Sequence, residues 1–123
     1  YFTPNEIEAE YYTGIKIKNR KDAFKACKKL HLLGVKKSII TLGEKGLCYF
    51  DGQQQLFIAA EKSIKAIDTT GAGDAFNGAL AFALANDKKI KDALIIANRV
   101  AGLSTQKLGA GDSMPSLKEL KNF

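Results

Sequence analysis

Two glycines around one alanine, followed at once by a carboxylate, form Gly71-Ala72-Gly73-Asp74, which stands between a short strand pattern, Ser63 to Ile67, and an apolar helical pattern from Ala75. This feature constrains the fold more than any other, because a strand that turns this tightly into a helix belongs to an α/β arrangement. Glycine adopts backbone angles that other residues resist, and alanine adds little bulk. Consecutive N–H groups of such a turn converge where the next helix presents its unpaired donors and positive dipole end. The result is a cradle for an anion, with Asp74 in the first helical turn beside it. A carboxylate at an anion cradle suits proton removal from a hydroxyl while charge develops on a phosphoryl group. A glycine-rich turn that merely admits a buried helix has the same local form, and G-A-G alone does not separate the two.

The 123 residues suffice for one core and are too few for two. At 46% hydrophobic and 26% charged, the composition is that of a globular protein. No apolar run reaches membrane-spanning length, and the start Tyr1-Phe2-Thr3-Pro4-Asn5-Glu6 carries no signal-peptide pattern. Cytoplasmic location is the expectation, and the absence of an initial Met fits a segment of something larger. The net charge of +6 raises nucleic acid as a partner. The lysines are scattered over helix faces without interleaved aromatics, which reads as a solvated surface, so neither nucleic acid nor membrane is expected. Cys27 and Cys48 sit in apolar patterns without metal-ligand spacing and read as reduced core residues.

Along the chain, Thr3, Pro4 and Glu6 predict a helix start with a Thr3–Glu6 capping box. That account leaves Asn5 and Glu8 without a structural role. Their spacing near a helix start suits an amide and a carboxylate facing phosphates and a hydrated magnesium ion. Gly14 ends this helix, and a second runs from Asn19, its cap, to about Leu33, with Gly34 as terminator. His31 reads as a helix-surface residue. Ser38 to Leu42 predicts a buried parallel strand. Its following loop, Thr41-Leu42-Gly43-Glu44-Lys45-Gly46, lies where doubly wound folds hold ligands, although a plain turn accounts for it equally. Leu47 to Phe50, Asp51-Gly52 and Gln53 to Ala59 read as a hairpin with a type I′ turn. Ala75 to about Ala85 is apolar nearly all round and is expected to be largely buried. A further helix spans about Lys89 to Ser104, with Asn98 at the edge of its apolar face, either a satisfied amide or a ligand contact. A turn-rich loop, Lys107 to Ser113, and a short helix capped by Ser116 and Glu119 close the chain.

The runs T-P-N-E-x-E, I-T-L-G-x-x-G, D-T-T-G-A-G-D and the G-A…S-M-P tail together resemble the ribokinase-like (PfkB-type) carbohydrate kinases, and F-N-G-A-L after Asp74 is most similar to the ribokinases among them. The resemblance spans residues 1–123 and implies the C-terminal, nucleotide-binding part of a three-layer α/β/α fold with a mostly parallel sheet and a β-hairpin. The N-terminal sugar-binding and lid part of the family pattern is absent. Implied by resemblance are ATP, magnesium and potassium as cofactors, a small-molecule sugar as substrate, and a homodimer, as is frequent in the family. The reaction implied is phosphorylation of a sugar primary hydroxyl, ribose to ribose 5-phosphate first. Fructose, ketodeoxygluconate and nucleoside kinases share the same motifs.

Carried over by position, Asp74 is the catalytic base and Gly71, Ala72 and Gly73 the anion hole. Asn5 contacts phosphate, Glu8 organises magnesium through water, Thr41 to Gly46 form the nucleotide loop, and Asn98 stands beside the adenine. Asp68, Thr70, Ser104, Lys107, Gly109 and Ser113 fall at the potassium site, mainly through backbone carbonyls, although Asp112 departs from the more usual pattern there. Two other readings stand beside the kinase: a non-catalytic nucleotide-binding or assembly half that needs a partner chain, and a basic nucleic-acid-binding domain resting on charge alone. By itself the chain is expected to be inactive.

Overall fold

The computed structural model describes residues 1–60 and 71–106. The chain divides into two compact units, residues 1–59 and 60–123.

In the first unit, helices α1 (Glu6–Thr13) and α2 (Arg20–Leu32) precede strands β1 (Ser38–Thr41), β2 (Leu47–Phe50) and β3 (Gln55–Ile58), with a 3₁₀ turn at Gly43–Lys45. The sheet order is β1-β2-β3 and both pairings are antiparallel. On its other side β1 runs parallel to the start of the chain through two bridges, Phe2↔Ser38 and Asn5↔Thr41. Among the described residues the parallel pairing expected of β1 therefore extends over two bridges, and its full ladder is antiparallel.

Alternation decides which face of the sheet meets the helices. Ile40, Leu42 and Cys48 pack with Ala9 of α1 and Ala23, Ala26, Cys27 and Leu30 of α2, and Phe24, Phe50 and Phe57 flank this cluster. Burial raises the pKa of both thiols, that of Cys48 to about 12, so they are held protonated and behave as small apolar residues.

The predicted start of α1 is corrected. Thr3 and Glu6 do not cap it. The backbone of residues 2–4 is instead engaged by the sheet: Phe2 N–H donates to Lys37 O (2.9 Å), Ile39 N–H to Phe2 O (2.8 Å) and Thr41 N–H to Pro4 O (3.0 Å). Extended pairing delays the helix until Glu6, with Asn5 as its cap. The helix ends at Gly14 in the left-handed region (φ 72°), as the sequence indicates. Asn19 caps α2 by accepting the Asp22 N–H (2.9 Å). His31 is exposed, its ring edge-on to Phe50 at 5.5 Å.

The hairpin turn is also corrected. Phe50 pairs with Gln55, so the loop holds four residues, 51–54, rather than a two-residue Asp-Gly turn. Asp51 explains the difference: its Oδ1 accepts the N–H groups of Gln53 (2.9 Å) and Gln54 (2.6 Å), an Asx turn that holds the wider loop. These bonds hold its carboxyl below the ordinary value.

In the second unit, α3 (Ala72–Ala85) and α4 (Ile90–Ser104) pack against each other. Ala75, Phe76, Leu80 and Ala83 are buried on α3, and Ala93, Leu94, Ala97, Val100 and Ser104 on α4. The expectation of a largely buried α3 is not met: four of its fourteen residues are buried and Phe82 is 56% exposed. Its apolar surround exceeds what α4 covers on one side. The strand expected at Ser63 to Ile67 and the capping box at Ser116 and Glu119 lie outside the described residues.

Candidate active site

Each unit gathers one part of the predicted site. In the first, the Asn5↔Thr41 bridge sets the N-terminus of α1 beside the carboxyl end of β1, where the loop Thr41 to Gly46 begins. Asn5 and Glu8 form a reciprocal capping box. Asn5 Oδ1 accepts the Glu8 N–H (2.8 Å), and Glu8 Oε1 accepts the Asn5 N–H (3.0 Å). The pair assigned no structural role by sequence reasoning thus has one, and N-x-x-E read as a capping box was the signal that would have found it. The cap uses the amide oxygen of Asn5, so its Nδ2 group is the part suited to an anion.

Asn5→Ala is expected to cost about 1 kcal/mol of stability. Asn5→Asp, an equivalent cap without the amide donor, is expected to keep stability while losing ATP affinity. Chemical denaturation and nucleotide titration of the two variants separate the roles.

The loop after β1 closes on itself: Leu42 N–H donates to Gly46 O (2.8 Å) and Lys45 N–H to Leu42 O (3.2 Å). Gly43, Glu44 and Lys45 are exposed, whereas Leu42 and Gly46 are buried. Gly46 has φ 111°, and a Cβ there would fall 1.9 Å from the backbone oxygen of Ile58. The loop is therefore pinned against β3, a constraint the sequence did not reveal.

In the second unit, Gly71 is the N-cap of α3 in the left-handed region (φ 80°), and Ala75 N–H makes the first helical bond, to Gly71 O (2.9 Å). Among the described residues no side chain caps this helix, in contrast to α1 and α2. Its first-turn N–H groups, with the positive dipole end, fit an anion. Asp74 is exposed in that turn.

Gly73 departs from expectation. It lies inside α3, and no described atom stands within 4 Å of where its Cβ would be. The special conformation belongs to Gly71 alone. Gly73→Ala is expected to fold normally and to raise the melting temperature slightly, since Gly in a helix costs roughly 0.5–1 kcal/mol relative to Ala. A lower melting temperature would contradict this.

Asn98 is half-buried on α4, and both readings of it stand. The Ser104 hydroxyl is buried and donates to Ala101 O (2.7 Å). Asp68, Thr70, Lys107, Gly109 and Ser113 lie outside the described residues. Among the described residues no group of three or more His, Cys, Asp or Glu is placed to hold a metal ion. A lone exposed carboxylate such as Glu8 fits a magnesium ion that keeps its water shell. Nor, among the described residues, is any helix long and apolar enough to cross a membrane.

Comparison with known proteins fixes the class. The family model of the pfkB family carbohydrate kinases matches residues 1–117, and the chain belongs to that family. It is similar to the ribokinase of Haemophilus influenzae, 37% identical over 98% of this chain and 39% of that protein. It is also similar to the bifunctional protein HldE of Campylobacter curvus, 43% identical over 88% of this chain and 23% of that protein. Among solved structures, the Arabidopsis thaliana ribokinase complexed with ribose and ATP superposes with a TM-score of 0.90 at 35% identity, over 98% of this chain and 39% of that one. The fold is accordingly a portion of the α/β ribokinase fold, and the chain spans about two fifths of the ribokinases it matches.

Proposed function

We propose that this chain is the nucleotide-binding, C-terminal portion of an ATP-dependent sugar kinase that phosphorylates a primary hydroxyl, with ribose as the acceptor. The observation that carries the proposal is the start of α3: a left-handed Gly71, a helix with no side-chain cap, and Asp74 in its first turn. The uncapped N–H groups of Ala72 and Gly73 stabilise charge as it develops on the transferred phosphoryl group. Asp74 accepts the proton of the acceptor hydroxyl as that oxygen bonds to phosphorus. Asn5 Nδ2 donates to phosphate, the loop from Thr41 to Gly46 lies along the nucleotide, and Asn98 stands beside the adenine. ATP supplies the phosphoryl group, and Glu8 would hold, through water, a magnesium ion that would offset the negative charge of the phosphates. By resemblance, Asp68, Thr70, Ser104, Lys107, Gly109 and Ser113 are the residues that would hold a potassium ion.

Ribose is favoured over fructose or a nucleoside by the F-N-G-A-L run and by similarity to ribokinases. The groups that hold the acceptor in line belong to the N-terminal part of the family fold, so the chain alone turns over no sugar. A coupled ADP-release assay tests this with ATP, magnesium, potassium and ribose. It compares the chain alone with a chimera that joins it to the N-terminal part of the Haemophilus ribokinase. Turnover by the chimera only is expected. A folded, ATP-binding chimera without ribose-dependent ADP release would overturn the assignment.

A further inference from the structure

An open groove of about 680 Å³ lies between α2 and β3 in the first unit, away from any role given to Asn5, Glu8 or the loop after β1. Arg20, Lys21, Lys25 and Lys28 line it, and among the described residues no acidic side chain does. All four cations are exposed, and none forms an ion pair among the described residues. Asp22, next in sequence to Lys21, is turned to the helix start, where its carboxylate accepts the Lys18 N–H (3.1 Å). Lys21, Lys25 and Lys28 recur at helical spacing, so they form one stripe about 10 Å long at 1.5 Å per residue. Like charges at this spacing repel one another, and a bound anion relieves that repulsion.

Two aromatic rings share the groove, Phe24 and Phe57, an interleaving of rings and cations that the sequence order concealed. The Arg20 guanidinium lies 3.7 Å from the centre of the Phe57 ring. That ring face is occupied by a cation and is not open as a platform for a nucleobase. The groove thus offers a line of positive charge rather than a stacking surface. A single phosphate is too short to meet cations spread along two turns of helix.

We propose that this groove binds a linear inorganic polyphosphate, with Lys21, Lys25 and Lys28 along its oxygens and Arg20 at one end. Isothermal titration of the chain with sodium tripolyphosphate and with a longer polyphosphate at low salt tests it. Orthophosphate and an oligothymidylate of matched phosphate number serve as the other ligands. Affinity is expected to rise with polyphosphate length and to fall steeply with added salt. The Lys21→Ala/Lys25→Ala/Lys28→Ala variant is expected to bind the longer chain at least about 10-fold more weakly, because it loses the charge that faces the ligand. Lys88→Ala/Lys89→Ala/Lys91→Ala, which removes the same charge from exposed residues elsewhere, is expected to bind within about twofold of the unmodified chain. Circular dichroism establishes that both variants are folded, and the substituted lysines are all exposed. No binding at low salt, equal losses in the two variants, or tighter binding of the oligothymidylate would each overturn the proposal.

Discussion

Asp74→Asn is expected to lower kcat of the full-length chimera by roughly 10²–10⁴-fold, the usual worth of a positioned general base. The Kd for ATP is expected to stay within about threefold, because in the proposed role the removed charge would act on the acceptor proton and not on the nucleotide. The side chain is exposed in the first turn of α3, where asparagine preserves shape and leaves the helix intact. Turnover and nucleotide affinity are therefore expected to separate. A variant that retained more than about a tenth of the original kcat would remove Asp74 from the role of base.

Gly46→Val is expected to destabilise the chain by about 3 kcal/mol or more, a large fraction of the roughly 5–15 kcal/mol that holds a typical domain folded. Two costs add. The φ of 111° is one that β-branched residues resist, with strain of about 1–3 kcal/mol. The new Cβ would also meet the Ile58 carbonyl oxygen, which is backbone and cannot rotate away. Relief requires β3 to move from β2 or the loop to leave the sheet, and either change displaces the segment assigned to the nucleotide. Thermal denaturation followed by circular dichroism measures the effect. A loss below about 1 kcal/mol would mean that loop and strand are not held together as closely as the geometry indicates.

Much of this fold was legible because local chemistry and tertiary contacts agree. Asn19 and Gly34 frame α2, Gly14 stops α1, and Cys27 and Cys48 are core residues as their apolar neighbourhoods implied. The misreadings fall where a non-local partner competes with a local signal. Thr3-Pro4-Asn5-Glu6 contains one capping box and overlaps another, Asn5 to Glu8. The sheet bonds of residues 2–4 decide between them, and these are invisible to spacing. Asp51-Gly52 carries a hairpin signal, yet the Asp51 carboxylate takes two N–H groups and widens the loop.

The site shows the same division. G-A-G is symmetrical in sequence, and only the geometry assigns the left-handed angle to Gly71 and an ordinary helical place to Gly73. The two groups of predicted residues were legible as motifs. That Asn5 and Thr41 are bridged was not, because it depends on a parallel pairing between segments 36 positions apart.

The bare start of α3 also bears on engineering. Anyone seeking a sturdier protein would note that α1 and α2 begin with asparagine caps while α3 has none among the described residues, and would install one. Routine stabilising changes of this kind commonly gain about 0.5–2 kcal/mol. Here the start of α3, without a described side-chain cap, is also the anion seat of the proposed function. On the proposed function, a side chain that satisfied those N–H groups would occupy the seat of the anion, so robustness and activity would draw on the same few donors. Selection for heat tolerance alone would be expected to erode the chemistry at this position first.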